Sequence, residues 1–281
     1  MRSRRLGTAL RQYRQAARLD QPQAAEVIAT SQARISRIES GHATPRVIEV
    51  RLLLDAYGVA DAEVRAKLEE LAKHPRKRGW WLEHAAHLRP GYVDHIALEG
   101  DASHIRQWQP VLIPGLLQTP AYAEAVVTGG PRTLSAEYVA QLIEVRRRRQ
   151  ERIAEGGAKY SVVIWEAVIE HPLATIEIHW GQLSALLEIG KRENVTVQVL
   201  PFSAGSLVAA ANAFSAFSFD SDSPVEAVTM DDLMSTSIVE SPGDLAVYAQ
   251  AFDLLSSSAL TPEESAKLIE TKLHAVKEGA S

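Results

Sequence analysis

The residues whose types and spacing most directly suggest chemistry lie between positions 21 and 41: Gln32, Ala33 and Arg37, with Ser31 and Arg34 beside them and Gln21 upstream. A glutamine amide matches the donor–acceptor edge of adenine, an arginine fork matches guanine, and an alanine methyl can meet the methyl of thymine. Near the start of an exposed helix, Gln32, Ala33 and Arg37 are expected to read base edges in a DNA major groove. Gln21 and Ser31 stand near helix N-termini, which favour phosphate oxygens, and are expected to touch the DNA backbone. Arg34 is grouped with them as a backbone contact, though its place also allows a base contact. The plainer alternative is an ordinary amphipathic helix pair with a solvated polar face.

Two short helices must position these groups. Asp20 can cap the first, with Gln23 completing a capping-box pair and Pro22 in the first turn. Ala24, Ala25 and Ile28 give it an inward face small enough for a second helix to cross closely. Thr30 is expected to cap that second helix, Ile35 and Ile38 to anchor it, and Gly41 to end it in a left-handed conformation. Thr44-Pro45 reads as the start of the next helix.

The charge is lopsided. Residues 1–80 carry 16 Lys/Arg and 9 Asp/Glu, whereas residues 81–281 carry 14 and 26, so a net charge of −5 hides a basic head on an acidic body. A basic segment suits salt-dependent phosphate contacts, and an acidic body is repelled by DNA and suits other partners.

Residues 4–58 resemble a helix-turn-helix domain of the phage-repressor or Xre type, a five-helix fold. Leu6, Leu10, Tyr13 and Arg14 match its first helix, Gln21–Ile28 its second and Ser31–Glu39 its recognition helix. Ser40-Gly41, Pro45 and a fourth helix at Val47–Tyr57, with Leu52, Leu53 and Leu54 in the core, complete the pattern. Where that family often has glycine in the turn, this chain has Ala29; a left-handed alanine there costs roughly 1 kcal/mol. Val64–Leu71 reads as the last helix of the module.

The 281 residues allow two domains. The expected fold class is an all-α five-helix helix-turn-helix domain over residues 1–74, a linker and docking segment over 75–94, and a C-terminal α/β (mixed α+β) domain over 95–281. The basic run Lys73–Gly79 begins the linker, and Trp80 and Trp81 dock it. The absence of cysteine excludes disulfides, thiolate zinc sites and cysteine nucleophiles. No apolar run approaches the ~20 residues of a membrane span, and no signal-peptide stretch is seen, so a cytoplasmic, nucleoid-associated protein is expected.

In the acidic body, Gln109–Pro120 reads as an extended loop leading into a helix from about Ala121, and Ser135–Glu155 as a long helix. The latter contains Arg146–Arg149, which point all round it and are expected to pair with surplus carboxylates. Tyr160–Trp165 and Val195–Leu200 read as strands flanking a helix at Gln182–Arg192, a βαβ unit. Phe214–Phe219, Ala227–Met230 and Thr236–Val239 are further strand candidates. Ala246–Leu255 and Glu263–Lys277 are closing helices, the last capped by Thr261, Pro262 and Glu264.

Ile113–Thr119, Arg146–Gln150, Trp165-Glu166-Ala167, Gln182-Leu183, Leu200–Gly205 and Ala259–Pro262 together resemble the C-terminal domain of actinobacterial WhiJ-type regulators, a domain of unknown function. That resemblance implies a developmental or antibiotic-production regulator, often acting beside a small companion protein. Met230-Asp231-Asp232 departs from it where a Tyr-x-Glu-like pair is usual.

No phosphate loop or dinucleotide fingerprint is present. Glu83, His84, His87, Asp94 and His95 fit no standard zinc spacing, and Glu166, Glu170 and His171 read as a structural cluster. No catalytic residue, metal or cofactor is therefore expected. The expected function is a sequence-specific transcription regulator, a homodimer on double-stranded DNA, whose second domain binds a companion protein, an unknown small-molecule effector or its own copy. The alternatives are the DNA-binding component of a toxin–antitoxin-like pair, a DNA-tethered enzyme, and a basic head that is a protein-binding helical module.

Overall fold

The computed structural model describes residues 2–41, 43–73, 79–85, 87–130, 133–204, 208, 212–220, 223–232 and 235–279. The chain divides into two compact units, Met1–Trp80 and Trp81–Ser281. The basic run at 74–78 lies outside the described residues, as does Gly205 of the Leu200–Gly205 motif.

The first unit is five helices: α1 (Arg2–Ala16), α2 (Gln21–Val27), α3 (Gln32–Glu39), α4 (Val47–Ala56) and α5 (Ala62–Lys73). Leu6, Leu10, Ala24, Ile35, Ile38, Val50, Leu53 and Leu54 form its core. Two glycine positions are dictated by this packing. A Cβ on Gly7 would lie 2.2 Å from the Ile38 carbonyl oxygen, so α1 and α3 cross backbone to backbone. Gly41 takes a φ of 75° just beyond α3, the left-handed conformation expected of it.

Three local expectations need correction. The side chain that caps α3 is Ser31, which accepts the Arg34 N–H, one residue later than Thr30. The cap of α4 is Arg46, so Pro45 precedes the helix rather than opening it. Leu52 is 42% exposed while Leu53 and Leu54 are buried, because three consecutive residues cannot all face one side of a helix.

The second unit is a six-stranded mixed sheet with helices around it. It begins with α6 (Pro90–Asp101), β1 (His104–Gln109), α7 (Pro120–Thr128) and α8 (Ala136–Gln150). Then come β2 (Lys159–Trp165), α9 (Glu166–Glu170), α10 (Ile176–Ile189) and β3 (Val195–Leu200). It ends with β4 (Phe214–Ser218), β5 (Ala227–Asp231), β6 (Thr236–Val239), α11 (Pro242–Ser258) and α12 (Pro262–Gly279). The strand order is β3-β2-β1-β4-β5-β6. β1, β2 and β3 pair in parallel, and β1, β4, β5 and β6 pair antiparallel. The βαβ unit is present, with its helix starting at Ile176, six residues earlier than the sequence suggests. Trp81 packs over Gly100 of α6, where a Cβ would lie 3.2 Å from the indole.

Three elements were not anticipated: the short helix α9, α6 and β1. α6 crosses the expected boundary at residues 94/95, and β1 is the strand from which both halves of the sheet grow. β1 escapes notice because its sequence, His-Ile-Arg-Gln-Trp-Gln, carries little apolar character. As a central strand it is nevertheless buried on both faces, and its polar side chains are satisfied inside: Gln107 accepts the Tyr160 hydroxyl at 2.6 Å, and His104 meets Ser161 at 3.0 Å. Among the described residues, no helix is long and apolar enough to cross a membrane.

Candidate nucleic-acid interface

The start of α2 follows the expected chemistry: Asp20 accepts the Gln23 N–H at 2.8 Å, and the Gln23 side chain accepts the Asp20 N–H at 2.9 Å. The turn between α2 and α3 is sharp because Ala29 adopts a φ of 49°. The Ala29 N–H then reaches the Glu26 carbonyl and the Thr30 N–H the Ala25 carbonyl, the paired bonds of a Schellman motif built on alanine. The Ile35 and Ile38 side chains of α3 enter the core, leaving Gln32, Ala33, Ser36 and Arg37 exposed on the outer face. Ala33 and Arg37, and likewise Gln32 and Ser36, are four residues apart and so adjacent on the helix surface. Ser36 was missed by the sequence reading, although that spacing signals it.

Two carboxylates, neither singled out by the sequence reading, fix α3 at its ends. Glu39, at the C-terminal end, is 7% exposed. It receives a forked pair of bonds from Arg14 at 2.6 and 3.0 Å, while Arg14 also donates to the Leu19 carbonyl at 2.7 Å. Contact with Glu39 raises the Arg14 pKa, the hydrogen bond outweighing the opposing effect of burial. Near the N-terminal end, Arg34 donates to both oxygens of buried Glu49 at 3.0 and 3.1 Å. Glu49 also accepts the Arg46 backbone N–H at 2.7 Å at the start of α4. Burial alone would raise the Glu49 pKa, but the Arg46 N–H and the Arg34 charge outweigh it and hold it below the usual carboxylate range.

These pairs redistribute the expected roles. Gln21 spends its side-chain amide on Glu39 at 3.0 Å, Ser31 caps α3, and Arg34 is an internal strut whose side chain is 41% exposed. All three residues assigned to phosphate thus also hold the recognition element in place. Gln32, Ala33 and Arg37 instead stand clear on its outer face.

Residues 5–68 match a family described as Helix-turn-helix domain. Residues 92–271 match a family described as Domain of unknown function (DUF5753). The chain belongs to the DUF5753 family. Neither a curated protein nor a solved structure matches it.

Within the DUF5753 domain, the motif segments that lie far apart in sequence meet around Gln118. Its amide nitrogen donates to the Ile113 carbonyl at 2.7 Å, its amide oxygen accepts from Arg146 at 2.6 Å, and its carbonyl accepts from Gln150 at 2.6 Å. Gln182 clasps the same segment through the Thr119 N–H and the Leu117 carbonyl, each at 2.7 Å.

The four arginines divide as the helical geometry requires. Arg147 pairs with Glu144 at 2.8 Å and Glu151 at 3.5 Å; Arg148 pairs with Glu144 at 3.0 Å and Glu83 at 3.8 Å. Arg149 forks onto buried Glu99 at 2.8 and 2.7 Å and also donates to Tyr92. Burial opposes ionisation of Glu99, but the Arg149 charge and hydrogen bonds prevail and hold its pKa at about 2. Arg146 departs from the expectation: among the described residues no carboxylate pairs with it.

The acidic cluster considered for chemistry is tied into the fold. Glu166 accepts the Phe202 N–H at 2.6 Å, and Glu170 forms an ion pair with Lys272. Among the described residues, no three His, Asp or Glu side chains gather as a metal set would require.

Proposed function

We propose that this protein is a sequence-specific transcription regulator, of the actinobacterial WhiJ kind that its motifs resemble, in which the helix-turn-helix unit reads DNA and the DUF5753 domain conveys a signal. The observation that carries the reading is α3 itself. It is fastened at both ends by buried carboxylates, through Arg14–Glu39 and Arg34–Glu49, while Gln32, Ala33 and Arg37 remain exposed. A helix held rigidly with an adaptable polar face outward suits base readout, because the entropy of ordering the reader has already been spent in folding.

In this reading Gln32, Ala33 and Arg37 contact base edges, while Ser31, Gln21 and the exposed part of Arg34 lie near the phosphates. The excess of Lys and Arg in residues 1–80 supplies the salt-dependent part of the affinity. One such helix covers only a few base pairs, so two copies act as a homodimer on half-sites about 34 Å apart. The DUF5753 domain shifts the population of the DNA-competent dimer through whatever it binds.

The test is selection from a random double-stranded DNA library with the full chain at near-physiological salt. A recovered palindrome supports the reading. Failure to enrich any sequence, with the chain demonstrably folded, overturns it.

A further inference from the structure

The DUF5753 domain contains a cavity of about 580 Å³, within the range of pockets that hold small organic ligands. It lies at the carboxyl end of β1, lined by Gln107 and Gln109, beside Phe214 and Ser215 at the start of β4. At β1 the sheet reverses: β2 and β3 are laid down on one side, β4, β5 and β6 on the other. Open sheets flanked by helices bind ligands in the crevice at such a reversal.

Much of the lining is aliphatic, with Leu88, Leu112, Val126, Leu134 and Leu142, and at its polar part stand Tyr92, Arg146 and Arg149. The charges there do not cancel. Glu99 neutralises Arg149. Among the described residues, Arg146 meets only neutral acceptors: the Gln118 amide oxygen at 2.6 Å and the Ala123 carbonyl at 3.4 Å. Burial, and then the neighbouring Arg149 charge, lower the Arg146 pKa, as befits a cation without a counter-ion. The acidic lining groups, Asp231 and Asp232, are exposed and hydrogen-bonded to Thr236 and Ser235 respectively, and the third lining cation, Arg89, is exposed beside them and donates to the Asp232 carbonyl at 3.2 Å. These rim charges sit in high-dielectric surroundings that screen them from the half-buried guanidinium of Arg146.

Holding an arginine half-buried without an opposite charge is unfavourable, and the fold has retained one facing a space that is aliphatic over much of its wall. We propose that this cavity binds a small organic molecule bearing one carboxylate on an apolar body, with Arg146 as its counter-ion. One uncompensated positive charge matches a monoanion, and the planar guanidinium fork suits a carboxylate. Phosphate would bring more negative charge than the site can balance. Binding itself is independent of the DNA reading; only the ligand's use as an effector rests on it.

The experiment titrates the full chain with a library of aromatic and branched aliphatic monocarboxylic acids, each paired with its methyl ester, with phenyl phosphate as comparator. Binding is read by ligand-observed NMR and calorimetry without DNA, so failure of the DNA selection leaves this result untouched. Acids are expected to bind at least about tenfold more tightly than their esters. Arg146→Met should erase that preference and Arg146→Lys should keep part of it. Leu142→Trp, which fills the cavity and leaves the cation in place, should abolish binding; it carries the test should Arg146→Met fail to fold. Equal binding of acids and esters, preference for phenyl phosphate, an acid preference that survives Arg146→Met, or no binding by any member would each overturn the proposal.

Discussion

In the helix-turn-helix unit, Arg14 and Arg34 each end on a buried carboxylate, and both pairs hold α3. In the DUF5753 domain, Arg149 ends in the same way on Glu99, while Arg146, three residues earlier on the same helix, meets only neutral oxygens among the described residues. The same side chain therefore serves two ends. A paired buried arginine is a fastener, and its loss is felt as instability. A half-buried arginine facing a cavity with neutral partners is held ready for an anion, and its loss should be felt in binding.

The largest effect should come from breaking a fastener in the second unit. Glu99→Ala leaves Arg149 buried and unpaired, which typically costs about 3–5 kcal/mol, and should lower the denaturation midpoint of that unit. Arg146→Met should cost far less, since it removes no opposite charge; equal losses would erase the distinction between the two arginines.

Next comes Gly7→Ala, which drives a methyl into the Ile38 carbonyl and must part α1 from α3. A loss of about 3 kcal/mol is expected in the first unit, at the upper end of overpacking effects, with the second unit melting unchanged in calorimetry.

Acid should separate two groups within the second unit. Burial, then the Arg106 and Lys159 charges, lower the His104 pKa from 6.5 to about 4. The unfolded chain takes up this proton first, so stability is lost as pH falls from about 6.5 to 4. Glu99, lowered from 4.5 to about 2, contributes stability above its unfolded value that is lost as pH falls from about 4.5 towards 2. A melting series against pH should show both windows, and His104→Gln should remove the upper one alone.

A smaller effect falls on recognition rather than folding. Arg37→Ala should lose about 1–3 kcal/mol of DNA affinity and relax the preferred sequence, without shifting the melting of the first unit. Arg34→Ala should weaken DNA binding and destabilise the unit together, because it strips Glu49 of a partner. If Arg34→Ala changes only DNA affinity, its bond to Glu49 is not a fastener. The smallest effect is Ala29→Gly. Relief of left-handed strain, about 1–2 kcal/mol, is largely offset by the entropy of the unfolded glycine, about 0.4–1 kcal/mol. A net gain of about 0.5 kcal/mol is expected.

What the sequence revealed depended on how local each determinant is. The Asp20–Gln23 box, Gly41 beyond α3 and the Thr261–Glu264 box that opens α12 span a few residues and were legible. Thr30 and Ser31 are both competent caps side by side, so the one-residue difference rests on the turn at Ala29, which tertiary packing settles. The Arg34–Glu49 and Arg14–Glu39 pairs join residues 15 and 25 apart, and no periodicity marks such partners. β1 was hidden because its buried glutamine and histidine are satisfied by Tyr160 and Ser161, more than fifty residues away. The cavity was invisible for the same reason: Gln118, Arg146 and Thr229, far apart in sequence, line one space only once the domain has folded.

The position of β1 also governs when the chain can fold during synthesis. Its two neighbours are β2, with His104 opposite Lys159, and β4, with His104 opposite Ser218. At about 5–20 residues per second, β4 leaves the ribosome several seconds or more after β1 does. The helix-turn-helix unit makes all its core contacts among its own five helices, and small helical folds form quickly. The nascent chain therefore passes through an interval in which a finished DNA-reading head is tethered to an unpaired strand carrying Ile105 and Trp108, an interval that a stalled-ribosome protease assay would capture.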